Sequence, residues 1–312
     1  MQRTLRRIFL LFLILVGVAL ATYVIRDPEH TTLDAKARAT APGKFVSLSD
    51  GITHYDITGP DTGRAIILAH GSSVPYYIWD STAVALAAAG YRVVRYDRFG
   101  IGFSDRPDAA YDSTMFTRQL DELADSLKLA TFDLMGLSFG GFVTAHYVVA
   151  HPNRVRTLTL LDPSSVGGTM PAYMKWPIAG SWVTHTLIEP AAADGQPGDF
   201  LHPEHFPGWA DRYRPQTAYR GLGRAMRRQG IASAGTDYSA LYAAVGKTGV
   251  PVLLIWGKQD PVVRFSNSDM VRKAIPQAEF VAVDSAGHLP AMEQSALVHA
   301  DVKQFLQAHS GR

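Results

Sequence analysis

Uncharged, mostly apolar positions run without a break from Ile8 to Ile25 (IFLLFLILVGVALATYVI), directly after Arg3, Arg6 and Arg7. As a helix this run would extend roughly 27 Å at about 1.5 Å per residue, close to the thickness of a bilayer's hydrocarbon core. It has no polar face, unlike a core helix packed on one side. Two readings follow. Residues 1–25 form an uncleaved signal anchor, or they form a signal peptide processed near Ala19-Leu20-Ala21 with its apolar region ending near Val18. Both place the rest of the chain outside the cytoplasm, because the arginines stay inside. Residues 26–43 mix charge, alanine, threonine and proline without periodicity and read as a tether.

From Lys44 the pattern becomes regular. KFVSLSDGITHYDIT is two alternating stretches around Asp50-Gly51, a hairpin signal. AIILAH (65–70) is a short apolar run ending at a glycine, as a buried strand would. STAVALAAAG predicts a helix ending at Gly90, and YRVVRYD (91–97) the next strand. Phe116, Leu120, Leu123 and Leu127 share one face of a helix predicted over 113–128. TFDLMGL predicts a strand, FGGFVTAHYVVAHP a helix and VRTLTLLD (155–162) a strand. VPVLLIWG (250–257) and AEFVAVD (278–284) are the last strands, and 297–308 the closing helix. Apolar strands alternating with helices predict an α/β fold, its mostly parallel sheet covered on both faces. Between Asp162 and Val250 the rhythm lapses into prolines and short helical pieces, with Trp176, Trp182 and Trp209. This stretch predicts an inserted, mainly helical cap over residues 164–231, dividing the core into 44–163 and 232–312.

Composition narrows the chemistry. The 30 Lys and Arg nearly balance 28 Asp and Glu, so no nucleic-acid partner is expected. With no cysteine, disulfides, iron–sulfur clusters, thiolate metal sites, a cysteine nucleophile and a lipidated-cysteine anchor are all excluded.

Ligands in such sheets bind beyond the strands' carboxyl ends, so chemical residues are sought there. Ser138 follows a predicted strand and opens a predicted helix inside Gly136-Leu137-Ser138-Phe139-Gly140, a G-x-S-x-G motif in its meaningful context. Such a turn holds the serine in a strained conformation and leaves no room for neighbouring side chains. A serine needs a base. Of eleven histidines, His288 sits in the loop after the last strand, whereas His54, His146, His151, His299 and His309 fall within elements or at helix ends. The base needs an orienting carboxylate, and Asp260, in the loop after the preceding strand, is the candidate. Asp162 is the rival acid, with turn formation beside Pro163 as its ordinary reading. Asp97 is expected to anchor the loop that follows it. Backbone N–H groups of Phe139 and Ser72 are expected to form an oxyanion hole, with His70-Gly71 shaping the loop.

HGSS (70–73), YDRFGIGFSDRP (96–107), GLSFGG, GKQDPVV and DSAGHLPAMEQ together make the chain resemble the α/β-hydrolase superfamily from about Phe45 to Leu306. Within it, the chain is similar to the capped serine hydrolases: monoacylglycerol lipases, esterases, C–C bond hydrolases and proline iminopeptidases. Epoxide hydrolases and haloalkane dehalogenases carry an aspartate where Ser138 stands. The resemblance implies cofactor-free hydrolysis through an acyl-enzyme. The expected function is cleavage of a small-molecule carboxylic ester with an apolar acyl or aromatic group by Ser138, His288 and Asp260. The alternatives are a C–C hydrolase or a proline iminopeptidase with the same triad, or a hydrolase fold kept as a non-catalytic binding protein. An iminopeptidase needs a cap acid for its substrate's amine, and Glu189, Asp194, Asp199 and Glu204 are available.

Weaker signals change little. AVGKTG (244–249) lacks the first glycine of a phosphate loop. HPEH (202–205) has no third ligand, so no metal is expected. Arg212, Arg214, Arg220, Arg224, Arg227 and Arg228 predict a solvated basic cap face, or one attracted to anionic lipid. Some of Tyr76, Tyr77, Trp79, Tyr173, Trp176 and Trp182 are expected to line the substrate cavity.

Overall fold

The computed structural model describes residues 1–72, 74–167 and 169–311. Ser73, the last residue of HGSS, lies outside them. Among the described residues, eight strands form one sheet: β1 (Lys44–Leu48), β2 (Gly51–Thr58), β3 (Ala65–Ala69), β4 (Arg92–Tyr96), β5 (Phe132–Leu137), β6 (Val155–Leu161), β7 (Val252–Gly257) and β8 (Glu279–Val283). Their order is β1-β2-β4-β3-β5-β6-β7-β8. β1 and β2 are the antiparallel hairpin, β2 meets β4 antiparallel, and every other pair is parallel. Gly51 pairs with Leu48, so the turn residues are Ser49 and Asp50, one position earlier than the dipeptide signal suggests.

Every residue of β3 and β5 is buried, which explains their unbroken apolar sequences. Successive side chains point to opposite faces and build two core layers. Ile67, Val94, Leu134, Leu158 and Leu254 pack with helices Ser113–Ser126, Phe139–Ala150 and Tyr238–Lys247. Ile66, Leu68, Val93, Met135 and Ile255 pack with helices Asp80–Ala88 and Ser295–Ala308.

Between β6 and β7 the chain breaks into short helices, followed by the longer Leu222–Ala234 and Tyr238–Lys247. Pro177 and Pro203 open helices in their first turns, where the missing N–H costs nothing, whereas Pro190, Pro197 and Pro215 stand where one helical type gives way to another. The expected cap limit at residue 231 falls inside Leu222–Ala234.

Gln2–Arg26 is one helix with no buried residue, long and apolar enough to cross a membrane. Its carboxyl end touches the cap: the Trp182 indole donates to the Ala19 carbonyl (2.9 Å) and Arg26 Nε to that of Thr186 (2.8 Å). The following segment is also attached. Thr31 exchanges backbone bonds with Ala218 and Arg220, and Arg38 is buried against Asp105 at 2.5 Å.

Candidate active site

Ser138 follows β5 and is the N-cap of helix Phe139–Ala150, with φ 53° and ψ −119°, a region that costs a non-glycine residue on the order of 1–3 kcal/mol. The neighbouring glycines are dictated by contact. A Cβ on Gly136 would stand 2.5 Å from the Gly140 carbonyl oxygen, and one on Gly140 would stand 2.1 Å from that of Ala69. The Ser138 N–H donates to Leu161 on β6, and its carbonyl accepts from Gly141 and Ser164. The elbow is thus fixed from both sides.

His288 and Asp260 meet as their positions after β8 and β7 predict. His288 Nδ1 lies 2.8 Å from Asp260 Oδ2, both side chains buried. The other Asp260 oxygen accepts from the backbone N–H of Val262 (2.7 Å) and Val263 (2.9 Å), which fixes the carboxylate plane. Ser138 and His288 line one cavity of about 90 Å³ together with Gly71 and Ser72. Val74, Leu137, Val262 and Leu289 form its apolar wall, and Asp199 enters from the cap. None of the six aromatics expected around the cavity lines it. Tyr77 and Trp79 pack in the core, and Tyr76 is buried against His54. Tyr173, Trp176 and Trp182 border a different groove, beside the N-terminal helix. Apolar cap residues found a partner in that helix, which composition could not foresee.

Asp162, the rival acid, does not bond His288. It is fully buried, its Oδ1 accepts from the Gly257 N–H at 2.8 Å, and its Oδ2 has no hydrogen-bond partner. Burial first, and then the neighbouring Asp260, push its pKa well above the usual carboxylate range. Asp162, Asp260 and His288 each place an atom within 4.8 Å of the others. The Asp260–His288 bond and a neutral Asp162 account for that cluster.

Asp97 is the loop anchor expected of it. Its carboxylate accepts from Tyr76 N–H (2.8 Å) and Phe103 N–H (2.9 Å) and bonds His54 Nδ1 at 2.7 Å. His70 accepts the Arg98 N–H at Nε2 and bonds the Gly71 carbonyl through Nδ1. Burial lowers its pKa to about 3, so it stays neutral and structural.

Arg98 and Glu293 carry no sequence signal of their own, and Asp199 is one of the four cap acids available to an amine. Arg98, buried and stacked on Phe116 and Phe139, donates to the carbonyls of His70 and Gly71 and so shapes the turn before Ser72. Glu293 accepts from Gly287 N–H and Leu201 N–H, both at 2.7 Å, tying the His288 loop to the cap. Asp199 accepts the His288 N–H at its backbone carbonyl, and burial raises its carboxyl pKa. Only the fold brings these partners together.

The HPEH stretch is exposed at both histidines, with His202 beside Glu204. It is not among the convergent ligand groups of the described residues.

Residues 64–295 match the family described as alpha/beta hydrolase fold. The chain is 24% identical to Lipase 3 of Moraxella sp. (strain TA144) over 261 residues, 78% of each protein. It is 26% identical to the 2-hydroxy-6-oxononadienedioate/2-hydroxy-6-oxononatrienedioate hydrolase of Cupriavidus pinatubonensis, over 84% of this chain and 94% of that one. The crystal structure of the enol-lactonase from Burkholderia xenovorans LB400 superposes with a TM-score of 0.74 at 23% identity, covering 85% of this chain and all of that one. With the family match spanning most of the chain, from before β3 to the start of the last helix, this protein belongs to the alpha/beta hydrolase fold family.

Proposed function

We propose that the protein is a serine hydrolase that cleaves carboxylic esters through an acyl-enzyme. The observation that carries this reading is Ser138, strained at the elbow, lining one cavity with a histidine held by a doubly hydrogen-bonded aspartate. Asp260 faces His288 Nδ1, which leaves Nε2 to take the Ser138 proton. The Ser138 oxygen attacks the carbonyl, and the backbone N–H groups of Ser72 and Phe139 receive the oxyanion. His288 returns the proton to the departing alcohol. Water, deprotonated by His288, then releases the acid and restores Ser138.

The cavity is small, about 90 Å³, and its wall is aliphatic. A short apolar acyl group fits it, and longer chains require the cap to move. Across p-nitrophenyl esters, kcat/KM is expected to peak at short acyl chains and vanish in Ser138→Ala. A folded wild-type protein with no turnover on any of them would overturn this reading.

The N-terminal helix serves in this reading as a membrane anchor that holds the hydrolase outside the cytoplasm; a cleaved signal is the other outcome of N-terminal sequencing.

A second reading rests on Asp199. Of the four cap acids, it is the one that lines the cavity beside Ser138, where a carboxylate would pair with a substrate amine as an iminopeptidase requires. A proline amide cleaved by wild type but lost selectively in Asp199→Asn would favour it over the ester reading.

A further inference from the structure

At the junction of the N-terminal segment and the cap, four ionisable side chains converge away from the catalytic cavity. His185 Nδ1 stands 3.1 Å from Glu189 Oε2 and 3.6 Å from Asp27 Oδ1. One ligand atom each from Asp27, Glu29 and His185 lies within 4.8 Å of the other two, and Glu189 adjoins this trio through His185. Glu29 is held in place by the N–H groups of Gly221 and Gly223, each at 2.7 Å. Gly223 also abuts Glu189, whose Oε2 would meet a Cβ there at 2.4 Å.

The independent observation is Glu189 itself. It is 0% exposed, and beyond its 3.1 Å approach to His185 Nδ1 neither carboxylate oxygen has a hydrogen-bond partner. Among the described residues, no lysine or arginine forms a salt bridge with Asp27, Glu29 or Glu189. Three carboxylates therefore face one imidazole, and the buried Arg106 guanidinium near Glu29 and Glu189 forms no salt bridge with them, so buried charge stays without a direct partner, which is costly. Two ligands each about 2.1 Å from one ion stand roughly 3 to 4 Å apart, which the distances of 3.1 and 3.6 Å satisfy.

We infer that Asp27, Glu29, His185 and Glu189 bind a first-row divalent cation such as Zn²⁺ or Mn²⁺, clasping the segment after the N-terminal helix to the cap. Carboxylates with one imidazole suit these ions. This departs from the sequence expectation of no metal, because the two pairs of ligands lie far apart in the chain and share no motif.

The test uses the full chain in detergent, stripped with EDTA, offered ZnCl₂ or MnCl₂, desalted and analysed by inductively coupled plasma mass spectrometry. About one ion per chain is expected, with a rise in Tm. Glu189→Gln, which conserves shape, should lose affinity by more than about 100-fold, beyond the loss typical of an outer-shell change. His185→Ala should do the same, with folding checked by circular dichroism. Asp260→Asn should keep the ion. No uptake by wild type, equal uptake by the His185→Ala/Glu189→Gln double variant, or uptake abolished by Asp260→Asn would each overturn the inference. If wild type takes up nothing, a proton on Glu189 is what neutralises the cluster.

Discussion

Two aspartates crowd one histidine, and their different surroundings assign them different duties. Asp260 is oriented by two N–H groups and bonds His288, whereas Asp162 keeps one oxygen unpartnered and holds its proton. Asp260→Asn is therefore expected to lower kcat on the order of 10⁴-fold, the scale of the same change in a well-studied triad. Asp162→Asn, which mimics a neutral carboxyl, should leave kcat within about threefold; a loss matching that of Asp260→Asn would make Asp162 the acid. Gly140 offers a purely steric test. With its Cβ site 2.1 Å from a backbone oxygen, Gly140→Ala should cost about 1–3 kcal/mol as overpacking does, read as a shift in the urea midpoint. The sequence made Ser138, Asp260 and His288 legible, since each follows a strand that its apolar pattern marks. Arg98 and Glu293 were not legible, because their work is to hold carbonyls and N–H groups that only tertiary contact supplies.

At the scale of elements, the strands and core helices follow from periodicity, and the cap does not. Its arginines were expected to form a solvated or lipid-seeking face. Arg212, Arg214 and Arg220 are exposed, Arg212 pairing with Asp80 and Arg214 with Asp194, while the half-buried Arg228 pairs with Asp108 and Arg224 and Arg227 donate to the carbonyls of Arg106 and Met174. The exposed apolar residues are elsewhere. Trp176 is 65% and Ile178 88% exposed, bordering the groove that Val16, Ala19 and Leu20 of the N-terminal helix share. If that helix spans a bilayer, cap residues level with Ala19 sit in the same leaflet. Ile178→Asp with Trp176→Ser is then expected to lower kcat/KM for esters embedded in liposomes at least severalfold while leaving soluble esters unaffected. Equal loss on both substrates would show a folding defect rather than a membrane contact. No periodicity could announce this face, because its partner is a helix at the other end of the sequence.

At the scale of the whole molecule, a single sheet positions Ser138, Asp260 and His288, and the N-terminal segment is fastened to the cap. This fastening titrates. Burial, reinforced by Glu29, raises Glu189 from 4.5 to about 7, and carboxylate neighbours raise His185 against its own burial. Tyr23, Asp27, Arg106 and Tyr213 also surround the pair. Both groups hold protons in the folded state that the unfolded chain releases, so metal-free stability should fall as pH rises. For Glu189 the loss begins near pH 4.5 and is complete above about 7, at most about 3 kcal/mol. Urea unfolding in EDTA at pH 5 and 8 checks this, and Glu189→Gln should flatten the difference. The architecture was legible in outline because apolar strands and helices alternate; the fastening was not, because its ligands are scattered. Attack on carbonyl groups by Ser138 with help from His288 is tested by intact-mass and peptide mass spectrometry after a fluorophosphonate probe. One adduct is expected, on Ser138, absent in Ser138→Ala and greatly slowed in His288→Ala. A folded wild-type protein that remains unlabelled, or is labelled on another residue, would contradict it.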